Sequence, residues 1–135
     1  MNALRSFAST PFRPLWPIRS EIIYVIYKVC DRESWAEARR HGVYSGAPVD
    51  HEDGYIHFST AAQLAETLAR HFTGREGLVL LGVPVVRLGD ALQWEPSRGG
   101  DLFPHLYAEL PVSAVVSEHP LALDADGRHI LPDDL

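Results

Sequence analysis

A single cysteine, Cys30, stands in 135 residues, so no internal disulfide is available. That suits a reducing, cytoplasmic setting, and at the end of an apolar run the thiol reads as a small buried hydrophobe. Apolar runs are short: none nears the ~20 residues of a membrane helix, and none near the start serves as the core of a signal peptide. The catalytic signatures GxSxG, P-loop, GxGxxG and HExxH are all missing. Seven histidines are present without metal-ligand spacing, so no metal is expected. Asp124-Ala-Asp126-Gly127 lacks the other ligands of a calcium loop and reads as a turn. Positive charge is scarce too. Arg5, Arg13 and Arg19 stand in residues 1–20 without an acid, and setting them aside takes the net charge from −6 to −9. So acidic a body is a poor partner for duplex nucleic acid.

What is there is enough for one domain. With 46% hydrophobic and 22% charged residues the chain can bury a core without disulfides or metal. Residues 1–21, rich in proline and serine, read as a disordered N-terminal extension or an upstream start. Residues 22–135 read as a single α+β domain. IIYVIYKVC from Ile22 is apolar on both faces and predicts a central strand covered on both sides. Lys28 interrupts it, either at the strand's exposed end or pointing into a cleft. The next stretch predicts a helix with Asp31 as N-cap, Gly42 as its stop, and Trp35 and Ala38 facing inward. YSGAPVDHEDG reads as loop. In DGYIHFST, strict alternation puts Tyr55, His57 and Ser59 on one face of a strand and Ile56 and Phe58 on the other. Thr60 and Gln63 then form a capping-box pattern ahead of a helix reaching Phe72, whose N-terminus is a place for an anion. GLVLLGV, a strand ending near Glu95 and a final strand over Pro111 to Glu118 complete the elements. Two helices among several short strands argue for α+β with a mixed or antiparallel sheet rather than a doubly wound parallel one.

The richest stretch is WEPSRGGDLFPHLY, Trp94 to Tyr107. It gathers Glu95, Ser97, Arg98, Gly99, Gly100, His105 and Tyr107, few of which help to build a core. Paired glycines bring backbone N–H groups close to a ligand, and arginine offers a planar fork to a phosphate. In this reading Arg98, Ser97 and the Gly99-Gly100 backbone hold a phosphate, and Glu95 orients Arg98 or a ribose hydroxyl. His57 and His105 hydrogen-bond a sugar or base, and Tyr55 or Tyr107 stacks on a ring. Each residue also has a structural reading: Glu95 and Arg98 as a pinning pair, the glycines as a turn, the histidines as satisfied sheet residues.

From Ile26 to about Val116 the chain resembles the mainly bacterial family called domain of unknown function 952, through IYKVC, Trp35, DGYIHFS with its helix, LVLLGV and above all WEPSRGGDLFPHLY. The resemblance implies an ADP-ribosyltransferase-like fold, a split sheet whose cleft holds NAD in better-known relatives. Within that fold, His57 and Ser59 look like the histidine and serine of the His-x-His-Leu-Ser motif of RNA 2′-phosphotransferases, with Tyr55 in place of the first histidine. Lys28 stands where relatives carry histidine or arginine. Glu95 and Glu109 are the candidates for the glutamate that such transferases use. The reading of the residues and the resemblance together give Glu95 and His57 as catalytic candidates, with Lys28, Tyr55, Ser59, Ser97, Arg98, Gly99, Gly100, His105 and Tyr107 around the ligand. Three readings stay open: an enzyme or binder using NAD or an ADP-ribose-like nucleotide, a non-catalytic sensor of a phosphorylated metabolite, and a protein-interaction module such as a toxin or antitoxin component.

Overall fold

The first strand, β1 (Val25–Asp31), is the pivot of the computed structural model, which describes residues 24–135. The expected disordered extension over 1–21 lies outside the described residues. Along β1 Ile26 and Cys30 enter one core cluster with Trp35, Phe58 and Leu81, while Tyr27 and Val29 enter another with Leu64, Leu68 and Leu80. A near-continuous apolar run suits a strand buried on both faces, and β1 has one, broken within the buried stretch only at Lys28.

Asp31 closes the strand and accepts a hydrogen bond from Ser34 N at 2.9 Å, starting α1 (Arg32–His41). Gly42 ends α1 in the left-handed region, and Trp35 and Ala38 are buried, as the sequence predicts. The chain then forms β2 (Val43–Tyr44) and a short helix, α2 (Pro48–Asp53), where a loop was expected. Next come β3 (Ile56–His57), a 3-10 turn over Ala61–Gln63 and α3 (Leu64–His71). The second half contributes β4 (Leu78–Pro84), β5 (Leu92–Ser97), β6 (Asp101–Leu106), β7 (Leu110–Pro111) and β8 (Ser117–Leu121).

Three sheets result: β1-β4-β8, β3-β6-β5 and the small β2-β7 pair. Every pairing between the named strands is antiparallel, so the expected architecture holds as α+β with antiparallel sheets. The mixed alternative falls away, and among the described residues the helices are three rather than two. The expected strand over Pro111 to Glu118 is also corrected. Ala114, buried in a 3-10 turn over Val112–Ala114, plugs the core and separates β7 from β8.

The two larger sheets meet at one seam. Phe58 N donates to Pro104 O of β6 at 3.0 Å, and one residue on, Ser59 and Tyr27 exchange backbone hydrogen bonds of 2.8 and 2.9 Å. The segment 56–59 therefore leaves one sheet and joins the other, and the side chains just before the seam stand where the sheets part. A capping box fixes the start of the next helical turn: Thr60 N donates to Gln63 Oε1 at 3.0 Å, and Gln63 N to Thr60 Oγ1 at 3.3 Å. Thr60→Ala is expected to cost about 1 kcal/mol, lowering the thermal midpoint by roughly 4 to 8 °C, readable by circular dichroism. An unchanged midpoint would mean that packing alone sets the start of α3.

Candidate functional site

The site begins with α2, too short to carry an apolar stripe. Pro48 supplies its first turn, Gly54 ends it with φ 88°, and Asp50 does the rest. Asp50 is 2% exposed. Its Oδ2 accepts from Ala47 N at 2.8 Å and lies 2.9 Å from Lys28 Nζ. Its Oδ1 accepts from Lys28 Nζ and His57 N, each at 3.1 Å, and lies 2.6 Å from His57 Nδ1. Burial alone would raise this carboxyl's pKa. The His57 hydrogen bond, the Lys28 ammonium and the Ala47 N–H outweigh it and hold the group well below the usual carboxylate range.

Lys28 is thus neither at an exposed strand end nor open to an anion: it is 4% exposed and paired with Asp50. This corrects the first of its two readings. A lysine on a core face is tolerated because α2 brings it a buried carboxylate. His57, a third exposed, lies between two carboxylates, with Nδ1 at Asp50 and Nε2 2.9 Å from Asp53 Oδ2.

A second imidazole stands beside it. His57 and His105 are register partners on β3 and β6, and their ring centroids lie 5.6 Å apart. His105 is 4% exposed, with Nδ1 2.7 Å from Glu95 Oε1. A carboxylate only accepts, so Nδ1 carries the proton in the neutral ring. Tyr107 OH donates to the same Oε1 at 2.8 Å. The His105 bond, then the Tyr107 bond, lower the pKa of Glu95, and the Glu95 bond raises that of Tyr107. Tyr55 roofs the group. Its ring is stacked on His105 at 4.0 Å between centroids and tilted against His57 at 4.7 Å and Tyr107 at 5.2 Å. Burial first, then the charge of Asp53, pushes the Tyr55 pKa up.

A cavity of about 300 Å³ borders Tyr55, lined also by Asp50, His51, Gly54, Ile56 and Leu106. Among the described residues no group of three or more His, Cys, Asp or Glu side chains is placed to hold a metal ion. None of their helices is long and apolar enough to cross a membrane.

Of the residues singled out in the sequence, Glu95, His57, Tyr55, His105 and Tyr107 come together, with Lys28 behind them. Four do not. Ser97 ends β5, and Arg98, Gly99 and Gly100 turn the chain into β6, both glycines having positive φ. From Asp101, opposite Ser97, to His105 is roughly 13 Å of strand at ~3.3 Å per residue. Ser59 stands at the seam, its Oγ 2.9 Å from Thr67 Oγ1. At the start of the 3-10 turn the Gln63 N–H offered to an anion is already taken by Thr60. Trp94 lies on the opposite face of the hairpin from Glu95, 5.9 Å from the Tyr24 ring. Asp50 and Asp53 escaped the sequence reading. Proline at the first helical position with glycine just past the end was the available signal.

The sequence profile described as "Protein of unknown function (DUF952)" matches residues 29–118, a span that takes in every residue of this cluster but Lys28. The chain belongs to the DUF952 family. Among solved structures, the crystal structure of protein CC0527 from Caulobacter crescentus is 48% identical, covering 78% of this chain and 93% of that one with a TM-score of 0.76. A solution NMR structure of CC0527 is 49% identical, covering 82% and 96% with a TM-score of 0.74. No curated protein matches the chain.

Proposed function

We infer that this DUF952 member binds an NAD-like or ADP-ribose-like nucleotide in an ADP-ribosyltransferase-like cleft where the two larger sheets part. The reading rests chiefly on one observation: the Tyr55, His105 and Tyr107 rings gathered around the Glu95 carboxylate. Aromatic rings give a base or nicotinamide a stacking surface, and a carboxylate that accepts hydrogen bonds suits a ribose hydroxyl. On the face of the β5-β6 hairpin that carries Glu95 and His105, Ser97 and Asp101 lie toward the tip. A dinucleotide fits that length better than a mononucleotide, its rings at the cluster and its phosphates near Arg98, Gly99 and Gly100.

In the transferase reading the bond between nicotinamide and ribose breaks, nicotinamide leaves with the electron pair, and an acceptor attacks the ribose carbon and gives up a proton. Glu95 stabilises the positive charge that develops on the ribose, and His57 stands at the acceptor side. Binding without turnover is the second reading. It is favoured by the engagement of Lys28 and both His57 ring nitrogens with carboxylates.

The test is the thermal midpoint of wild type, Tyr55→Ala and Arg98→Ala with NAD, ADP-ribose and a 2′-phosphorylated RNA dinucleotide. A ligand at 100 times its dissociation constant contributes ~2.7 kcal/mol and is expected to raise the wild-type midpoint by about 5 to 15 °C. The rise should shrink in both variants. No shift with any of the three ligands overturns the proposal and leaves the cluster to a protein partner. Release of nicotinamide from NAD then separates transfer from binding alone.

A further inference from the structure

The engagement of both His57 nitrogens has its own consequence, independent of any nucleotide. His57 Nδ1 hydrogen-bonds to Asp50 Oδ1 at 2.6 Å while Nε2 lies 2.9 Å from Asp53 Oδ2, and the second contact is an ion pair only when the ring carries two protons. The two arms differ. Asp50 is 2% exposed and fixed by Lys28, Ala47 N and His57 N, whereas the Asp53 side chain is 41% exposed. When the ring holds one proton, that proton stays on Nδ1, because a lone pair there would face a buried carboxylate. The Nε2 lone pair then faces the Asp53 carboxylate, and water takes over that oxygen at little cost.

We propose that His57 is a proton-operated latch: protonated, it ties the last turn of α2 to β3 through Asp53, and deprotonated, it lets that turn go. The two residues after Asp53 form a wall of the cavity beside Tyr55. Gly54 N and Tyr55 N both bond to Asp50 O, at 2.8 and 3.2 Å, and both residues line the cavity. The wall is fixed while the ring holds two protons and loosens when it holds one. The groups facing the ring are Asp50 and Asp53 from α2, Lys28 of β1 behind Asp50, the Tyr55 ring, and His105 of β6 with Glu95 of β5 behind it. His105 stands on the neighbouring strand with its Nδ1 at Glu95 rather than at either aspartate, so substitution at Asp53 separates the two histidines.

The experiment is hydrogen exchange of the Gly54 and Tyr55 amides at pH 5 and pH 8, corrected for intrinsic rates, in wild type, Asp53→Asn and Asp53→Ala. Wild type should lose about tenfold or more of its protection on going to pH 8. Asp53→Asn should show equal protection at the two pH values, since a neutral amide forms no ion pair with the ring in either protonation state. Asp53→Ala should be weakly protected at both. Equal wild-type protection at the two pH values overturns the latch. So does Asp53→Asn with the wild-type dependence, which would assign the effect to His105 and Glu95.

Discussion

Asp50→Ala is expected to destabilise the fold by about 3 to 5 kcal/mol, lowering the thermal midpoint on the order of 15 to 25 °C. Few residues away from the hydrophobic clusters should cost more. The substitution strands the Lys28 ammonium, 4% exposed and bonded to Asp50, together with the Ala47 and His57 N–H groups. Lys28→Met removes the same ion pair from the other side but leaves Asp50 with three donors, so its cost should be smaller, about 1 to 2 kcal/mol. Adding Lys28→Met to Asp50→Ala should recover part of the loss, because the stranded charge is gone. Chemical denaturation of the three variants gives the ordering. Equal losses for the two single variants would show that no charge is left buried and unpaired.

The same carboxylate fixes the acid limb of stability. Its folded-state pKa lies below the unfolded value near 3.9, so its contribution is complete above about pH 4 and is lost as pH falls toward the folded pKa. The gap between wild type and Asp50→Ala should therefore be widest near neutrality and narrow below about pH 4. A gap that stays constant down to pH 2 would mean that Asp50 acts by packing rather than by charge.

Local order was legible in the sequence where local physics decides it. The alternation in Tyr55-Ile56-His57-Phe58-Ser59 sends Ile56 and Phe58 to the core, at 3% and 2% exposure. Thr60 and Gln63 form their capping box, and Asp31 and Gly42 bracket α1. Glu95 and His105 both stand out in the sequence, but their pairing across ten residues emerges only once Gly99 and Gly100 form a hairpin turn. That step also moves Arg98 to the tip, away from the cluster. The helix α2 was not legible: Pro-Val-Asp-His-Glu-Asp has turn-like composition and no room for periodicity, and Asp50 fastens it to partners as far off as Lys28, 22 residues earlier. The sequence leaves Lys28 undecided for the same reason, since the carboxylate that lets it be buried belongs to that helix.

Gly46→Ala is the second large effect, expected at about 2 to 4 kcal/mol. Two costs combine. Gly46 has φ 117°, outside the regions open to L-residues, and a Cβ there would stand 2.9 Å from Asp50 Cβ and 3.3 Å from Asp50 Oδ2. A long flexible neighbour would swing away, but Asp50 is short and held by Lys28, Ala47 N, His57 N and His57 Nδ1. Moving it a few tenths of an ångström lengthens all of these at once. Gly42→Ala is the control: its φ is 88° and nothing lies within 4 Å of the added carbon, so only backbone strain of about 1 kcal/mol is expected. The difference between the two variants isolates the rigidity of the Asp50 network, and equal costs would show that the carboxylate gives way freely. The site gives an independent reading. Gly46→Ala should shift the His57 and Tyr55 side-chain resonances, because Asp50 carries the displacement to the His57 ring and Tyr55 packs on that ring, whereas Gly42→Ala should leave them in place.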